Sequence, residues 1–317
     1  MRYEVPKKFG IIIPHTSYLI PHTSYLIPNL TMKNKLRIAI QKSGRLSEKS
    51  SALLNECGFD IRIGKSALMA SAANFPIDVL YLRDDDIPEY VADGTADLGI
   101  LGENVVIESG VKIDTVMRLD FGRCRLCLAV PKNVHYSGPE FFQGKKIATS
   151  YPNILNSYLT EKNIRADVHL ISGSVEIAPT IGLADGIFDI VSSGSTLFSN
   201  GLVEVETVLK SEAVLVAHKN LSKDRRELLN KIVFRLNAVM AAQKNKYVVM
   251  NVPNESIEKV SAILPGMKSP TVVPLATSGW SAIHSVLNEN KFWEVIDDLK
   301  AAGAQGILVV PIEKLIL

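Results

Sequence analysis

The stretch from Glu176 to Leu197 constrains this chain most, because the apolar run Gly186-Ile-Phe-Asp-Ile-Val191 passes without a break into Ser192-Ser-Gly-Ser-Thr196. The run predicts a strand, and a turn made only of Ser, Gly and Thr predicts a helix start after it. Small residues let backbone amides close around an anion, the helix start adds the positive end of its dipole, and the hydroxyls donate further bonds. Asp189 can accept from sugar hydroxyls beside such an anion. A sugar phosphate suits this pattern better than a nucleoside triphosphate, since no Gly-Lys-Ser/Thr follows as in a P-loop.

Around this loop the chain alternates strands with helices. Strands are predicted over residues 36–40, 78–82 and 98–101. Ser47 reads as the N-cap of a helix reaching Cys57, with Gly58 as its stop, and Pro88 opens a second helix that closes near Gly94. Repeated βα units imply a largely parallel sheet with helices on both faces and ligands at the carboxyl ends of strands. Asp93-Gly-Thr-Ala-Asp97-Leu-Gly-Ile-Leu-Gly102 is echoed by Asp185-Gly-Ile-Phe-Asp189-Ile-Val-Ser-Ser-Gly194. Two like lobes would then set Gly102-Glu103 and Gly194–Thr196 on opposite walls of one cleft. From residue 224 the character changes: a helical stripe over 224–243 precedes strand 247–252, helix 256–264, strands 271–275 and 281–287, helix 292–301 and strand 306–311. That βαββαβ order is ferredoxin-like.

With 317 residues, 47% hydrophobic and 21% charged, the chain is long enough for two or three globular domains. A net charge of +2 gives no reason to expect nucleic acid or a membrane as partner. Three cysteines argue against a disulfide framework. Cys124 and Cys127 have CxxC spacing, yet they sit in an apolar strand-like run with no second ligand pair, so they read as structural and no metal site is expected. At the N-terminus Pro14-His-Thr-Ser-Tyr-Leu-Ile20 is repeated as Pro21-His-Thr-Ser-Tyr-Leu-Ile27. Prolines break this repeat too often for a membrane span, and its apolar run is too short for a signal core. Residues 1–31 are therefore read as a non-native or disordered leader, with Met32 as the start and a cytoplasmic protein after it.

Glu176, Gly182, Asp189, Ser193, Gly194, Thr196 and Leu197 stand where the signature of the ATP phosphoribosyltransferase family has them. Five further stretches resemble that family in its own order: Arg37-Ile-Ala-Ile-Gln-Lys-Ser-Gly-Arg-Leu46, Arg83-Asp-Asp-Asp-Ile-Pro88, Asp97-Leu-Gly-Ile-Leu-Gly-Glu-Asn104, Leu119-Asp-Phe-Gly122 and Ile147-Ala-Thr-Ser-Tyr-Pro152. The resemblance runs from about Leu36 to the C-terminus and is to the long form. It implies an α/β chain with two periplasmic-binding-protein-like catalytic lobes, 32–122 with 205–223 as the first and 123–204 as the second. A ferredoxin-like regulatory domain over 224–317 follows. It further implies that N1 of ATP attacks C1 of phosphoribosyl pyrophosphate with inversion, releasing pyrophosphate, as the first step of histidine biosynthesis. Mg²⁺ would be carried on the substrates, histidine would act as feedback inhibitor, and dimers would join into hexamers.

Within that resemblance the chemistry asks for little acid–base work, because the adenine nitrogen has its own lone pair and pyrophosphate leaves already anionic. Rate is expected from positioning and charge stabilisation, and no triad is expected. Ser192, Ser193, Gly194, Ser195 and Thr196 are expected to cradle the 5-phosphate, and Asp189 with Asp185 to accept from the ribose hydroxyls. Glu176 either joins them, directly or through magnesium, or is a helix-start carboxylate serving backbone amides. On the other lobe Gln41, Lys42, Gly44 and Arg45 form a basic turn in which Lys42 and Arg45 suit the ATP phosphates or the pyrophosphate, unless both are simply solvated. Lys42, Arg45, Glu176 and Asp189 are the expected catalytic set. Arg83 is expected to pair with substrate, while Asp84, Asp85 and Asp86 are ambiguous between helix capping and metal contact, with protein metal ligation not expected. Glu103 is expected to face the cleft, and Tyr151 either stacks on adenine or packs a loop. Asn251, Ser269 and Thr271 fall where the family contacts histidine; the neutral amide of Asn251 lacks charge attraction, so weak inhibition is expected. The competing reading is a bilobed small-solute-binding protein, which would want an export signal and no hydroxyl-rich loop.

Overall fold

The computed structural model describes residues 35–62, 68–264 and 269–317; the leader read over residues 1–31 lies outside them. The chain opens with β1 (Leu36–Gln41), α1 (Arg45–Glu56), β2 (Met69–Ser71), β3 (Ile77–Leu82), α2 (Ile87–Ala92), β4 (Leu98–Gly102), α3 (Glu103–Ser109) and β5 (Asp114–Arg118). It then crosses to a second lobe built from β6 (Cys124–Pro131), β7 (Lys146–Thr149), α4 (Pro152–Glu161), β8 (Asp167–Leu170), β9 (Gly186–Val191), α5 (Ser195–Ser199) and β10 (Leu202–Ser211). It returns to the first lobe as β11 (Ala213–Ala217) and α6 (Lys223–Lys244). A third domain follows with β12 (Asn245–Pro253), α7 (Ile257–Ile263), β13 (Thr271–Pro274), β14 (Trp280–Asn288), α8 (Glu289–Ala301) and β15 (Gln305–Pro311).

Lobe I is a six-stranded sheet in the order β2-β3-β1-β4-β11-β5, and lobe II a five-stranded sheet in the order β10-β6-β9-β7-β8. β1 has both edges paired, to β3 and β4, and both faces covered by helices. Leu36, Ile38 and Ile40 join Leu53, Ile232 and Leu236 under α1 and α6, and Ala39 joins Ile87, Val91 and Val105 under α2 and α3. The expectation of a largely parallel sheet needs correction. Parallel pairing is confined to β3-β1-β4 and β9-β7-β8, and every other neighbour is antiparallel. In lobe I, β2 and β3 follow one another as a local antiparallel pair, and β6 and β11 each enter a sheet straight from the other lobe with no crossover helix before them.

Two domain boundaries also move. β10 pairs with β6 as far as Ser211, so lobe II runs to 211 rather than 204. α6 belongs to lobe I, since Leu228, Leu229, Ile232, Leu236 and Val239 share its core and the Arg235 guanidinium lies 5.0 and 4.8 Å from the Phe59 and Phe75 ring centres. The third domain, expected from 224, therefore begins at Asn245. Its four antiparallel strands, in the order β13-β14-β12-β15, pack Val248, Met250, Val252 and Ile283 against α7 and α8, as the ferredoxin-like reading expects.

The two lobes do repeat one device, in a register four residues from the one the sequence suggested. Asp97, just before β4, accepts from the Arg37 amide at the start of β1 at 2.9 Å and returns its own amide to the Arg37 carbonyl at 2.9 Å. Asp185, just before β9, does the same with Lys146 at the start of β7, at 2.9 and 2.8 Å. Each aspartate staples the amino end of one parallel strand to its neighbour. Asp97 is 2% exposed and pairs with Arg225, whereas the Asp185 side chain is 40% exposed. Asp97→Ala, which strands a part-buried guanidinium, is expected to cost about 3 kcal/mol, and Asp185→Ala about 1 kcal/mol with substrate KM values unchanged. Urea unfolding and steady-state kinetics of the two variants check this.

Candidate active site

In lobe II the strand β9 ends and the backbone turns through Gly194, whose φ of 79° a side chain would resist, into α5. No side chain caps that helix, so its first-turn amides have no acceptor within it. With only five residues α5 supplies a short dipole, and the binding capacity here rests on amides and hydroxyls. Ser192, Ser193, Ser195 and Thr196 are all exposed, and the Ser193 and Ser195 hydroxyls lie 3.0 Å apart. Arg125, clamped to Glu204 by contacts of 2.6 to 3.1 Å, donates to the Ser192 carbonyl at 3.2 Å and so pins the start of the loop to β6.

Glu176 and Asp189 join Ser192, Ser193, Gly194 and Thr196 around a cavity of ≈ 230 Å³. Among the described residues Glu176 makes no hydrogen bond to a backbone amide. Asp189 accepts only from the Ile190 amide, at 2.8 Å. Burial raises its carboxyl above the usual carboxylate range, the Ile190 amide opposes that, and Glu176 adds to the rise by like-charge repulsion. Two acceptors sharing one small cavity are suited to hydroxyl donors. Asp185 is not with them: it precedes β9 while the loop follows it, and six residues of strand put roughly 20 Å between the two ends. Its place in the expected ribose set is therefore withdrawn.

In lobe I the Lys42 amide donates to the Leu82 carbonyl at 2.8 Å, which brings the turn after β1 beside Arg83 at the end of β3. Gly44, at φ 90°, occupies the N-cap of α1 with no side-chain cap. Ser47, expected at that position, lies buried inside the first turn. Lys42, Arg45 and Arg83 are exposed and have no ion pair among the described residues. Asp86 sits at the N-cap of α2 without making a capping bond. Asp84 keeps one buried carboxylate oxygen with no partner, and burial, with Asp85 nearby, pushes its pKa up to about 6. Among the described residues no group of three His, Cys, Asp or Glu is placed to hold a metal ion.

The lobes meet at the crossing segments. Arg118 donates to both carboxylate oxygens of Glu103, at 2.6 and 2.8 Å, so Glu103 is engaged at the crossing instead of being open to a ligand. Arg118, Arg123, Arg125, Lys210 and Ser192 line a cavity of ≈ 380 Å³ there. None of these four cations was singled out from the sequence, although three of them flank the Leu119–Gly122 motif. Tyr151 and Ser150 of lobe II face Asp85 of lobe I across a cavity of ≈ 660 Å³, and Asn104 donates to the Tyr151 hydroxyl at 3.4 Å. Burial raises the thiols of both Cys124 and Cys127, the latter to about 12. In the third domain Asn251 and Thr271 lie on the sheet face away from α7 and α8, separated by β14, and Ser269 precedes β13.

Comparison with known proteins agrees with this layout. The family model for ATP phosphoribosyltransferase matches residues 83–238, and the HisG, C-terminal domain model matches 242–314, dividing the chain where α6 gives way to β12. An ATP phosphoribosyltransferase of Cytophaga hutchinsonii is 58% identical over 285 residues, 90% of this chain and 100% of that protein. One of Phocaeicola vulgatus is 57% identical over 282 residues, 89% and 100% of the two chains. Among solved structures, a chain of the Thermotoga maritima ATP phosphoribosyl transferase (HisG:HisZ) complex aligns with a TM-score of 0.57 and 29% identity over 64% of this chain and 96% of that one. The chain belongs to the ATP phosphoribosyltransferase family of histidine biosynthesis, in its long form.

Proposed function

We propose that the cleft between the lobes carries out the family's reaction, with phosphoribosyl pyrophosphate on lobe II and ATP on lobe I. One observation carries the assignment: each lobe offers a glycine-led, uncapped helix start at the carboxyl end of a strand. One is lined by hydroxyls and two carboxylates, the other by three unpaired cations. Ser192, Ser193, Gly194, Ser195 and Thr196 hold the 5-phosphate. Asp189 and Glu176 accept from the ribose hydroxyls and stabilise positive charge as the bond to pyrophosphate breaks. Lys42, Arg45 and Arg83 neutralise phosphate charge, and Tyr151 flanks the purine so that N1 approaches the anomeric carbon from the face opposite the leaving group. Gln41 and Gly44 shape that turn.

Mg²⁺ is proposed to arrive on the phosphates, since the described residues offer it no cage of their own. The unpartnered oxygen of Asp84 and the carboxylate of Glu176 are the groups that would meet it. When bound, the ion neutralises leaving-group charge. Histidine is proposed to bind on the open sheet face at Asn251, Ser269 and Thr271, with the amide of Asn251 as acceptor. That face also exposes Tyr247 and Leu308, the latter 62% exposed, which suits burial between copies in a dimer or hexamer. No helix among the described residues is long and apolar enough to cross a membrane, and the reading places the enzyme in the cytoplasm.

Incubation with ATP, phosphoribosyl pyrophosphate and Mg²⁺ is expected to give an adduct by absorbance; binding of one small solute without turnover would sink the proposal. Thr196→Val, losing one hydroxyl bond to phosphate, is expected to raise the phosphoribosyl pyrophosphate KM about tenfold with an unchanged melting temperature. Deleting residues 245–317 is expected to abolish histidine sensitivity, read as an inhibition curve. Asp84 gives a pH test. Its folded pKa, about 6 against 3.8 ordinarily, means its contribution is fully present below about pH 4 and is lost as pH rises through 6. Asp84→Asn is therefore expected to stabilise the substrate-free protein by about 2 kcal/mol at pH 7.5 and by nothing near pH 4, measured by urea unfolding.

A further inference from the structure

We propose that Glu108 is a clasp between the lobes, a positioning residue that sets how often the cleft stands closed and ready for substrate. Helix α4 begins with Tyr151 at the N-cap, which makes no side-chain cap, and Pro152, which has no amide to offer. Its two first-turn donors, the amides of Asn153 and Ile154, are both taken by the carboxylate of Glu108, at 2.8 and 2.9 Å. The Asn153 side-chain amide donates to the Glu108 carbonyl at 2.8 Å. Glu108 lies on α3 in lobe I, and α4 follows β7 in lobe II. The cap that α4 lacks locally is therefore supplied across the cleft, by three short bonds and a negative charge on the positive end of a ten-residue helix.

This contact is separate from the crossing strands. The segments at 119–123 and at Glu212 join the lobes covalently, and α3 to α4 joins them a second time without a covalent link. Opening the lobes at α3–α4 leaves two amides and a carboxylate to water, so the contact favours the closed form. Glu108 also lines the ≈ 660 Å³ cavity beside Tyr151, so its release widens the space where a purine is proposed to lie. A group acting only on the open–closed balance has a recognisable kinetic signature. Apparent affinity falls in proportion to the closed fraction for every ligand that needs closure, and saturating ligand restores closure. Both substrates must then be affected by one common factor.

The test is Glu108→Ala in the full chain, with Glu108→Gln and Asn153→Ala beside it. Glu108→Ala is expected to raise the KM values for ATP and for phosphoribosyl pyrophosphate, each measured with the other substrate well below saturation, by the same factor, about tenfold, with kcat at saturation of both within about twofold. Small-angle scattering of the substrate-free variant is expected to show a larger radius of gyration that returns to the wild-type value with both substrates present. Glu108→Gln, whose amide keeps one acceptor, is expected to fall between, and Asn153→Ala to raise both KM values two- to threefold. Unchanged KM values, a rise for one substrate alone, or a loss confined to kcat would each overturn the proposal. So would a lower melting temperature with unaltered KM values, which marks a cap that serves only the helix.

Discussion

The lobes share the chain at only two places, the segment after β5 and the single residue Glu212 between β10 and β11, and the site depends on what happens there. Glu212 is nearly buried, with its carboxylate 3.6 Å from Arg118 and 3.7 Å from Arg123, while Asp120 pairs with Arg123 and with Lys244. Asp120 adopts a left-handed φ of 61°, and the Lys244 ammonium holds its carboxyl below the ordinary range. Each arginine of the crossing thus has a carboxylate. Individually such part-exposed pairs contribute little, but together they fix the line about which two sheets face one another. Lys244 is also the last residue of α6 before the third domain, so the junction with that domain touches the crossing directly.

That pairing gives the cleft its electrostatic character by contrast. Arg118, Arg123 and Arg125 are neutralised by Glu103, Asp120 and Glu204, whereas Lys42, Arg45 and Arg83 are not neutralised by any described residue. These three exposed cations are gathered at the carboxyl ends of the adjacent parallel strands β1 and β3, a local concentration of positive charge that suits an anionic ligand. On lobe II the sign is reversed. Burial and the nearby charge of Glu176 raise the cost of ionising Asp189, and a ligand that brings hydroxyl donors or a cation relieves it.

What the sequence revealed follows how local each signal is. The loop 192–196 was legible because a left-handed glycine and small hydroxyl residues act over five positions, and the ferredoxin-like domain because its strands and helices alternate with clear periods. The echo of the two Asp-Gly segments was seen, but its register was set by spelling. The shared job is done by Asp97 and Asp185, and so Asp185 was placed near a loop that lies at the far end of its strand. The stripe on α6 showed that the helix packs, without showing on which domain. Glu103 looked free because its partner Arg118 is distant in sequence.

Helix capping brings these threads together. Away from the cleft, α6 is capped by Ser222 and α8 by Asn288, each accepting from an amide of its own first turn. These two long helices settle their own donors in this way, because buried or half-buried amides without acceptors are costly. At the cleft α1 and α5 have glycine where a capping side chain would stand, and α4 has Tyr-Pro. Glycine gives the backbone close approach but supplies no side-chain acceptor. The chain offers α5 only the distant Ser193 hydroxyl, 3.5 Å from the Ser195 amide, and leaves both helix starts open to an acceptor from outside. For α4 it comes from the other lobe. The three helix starts therefore divide one requirement between substrate and enzyme, and this explains why a cap that no local motif announces is found at Glu108.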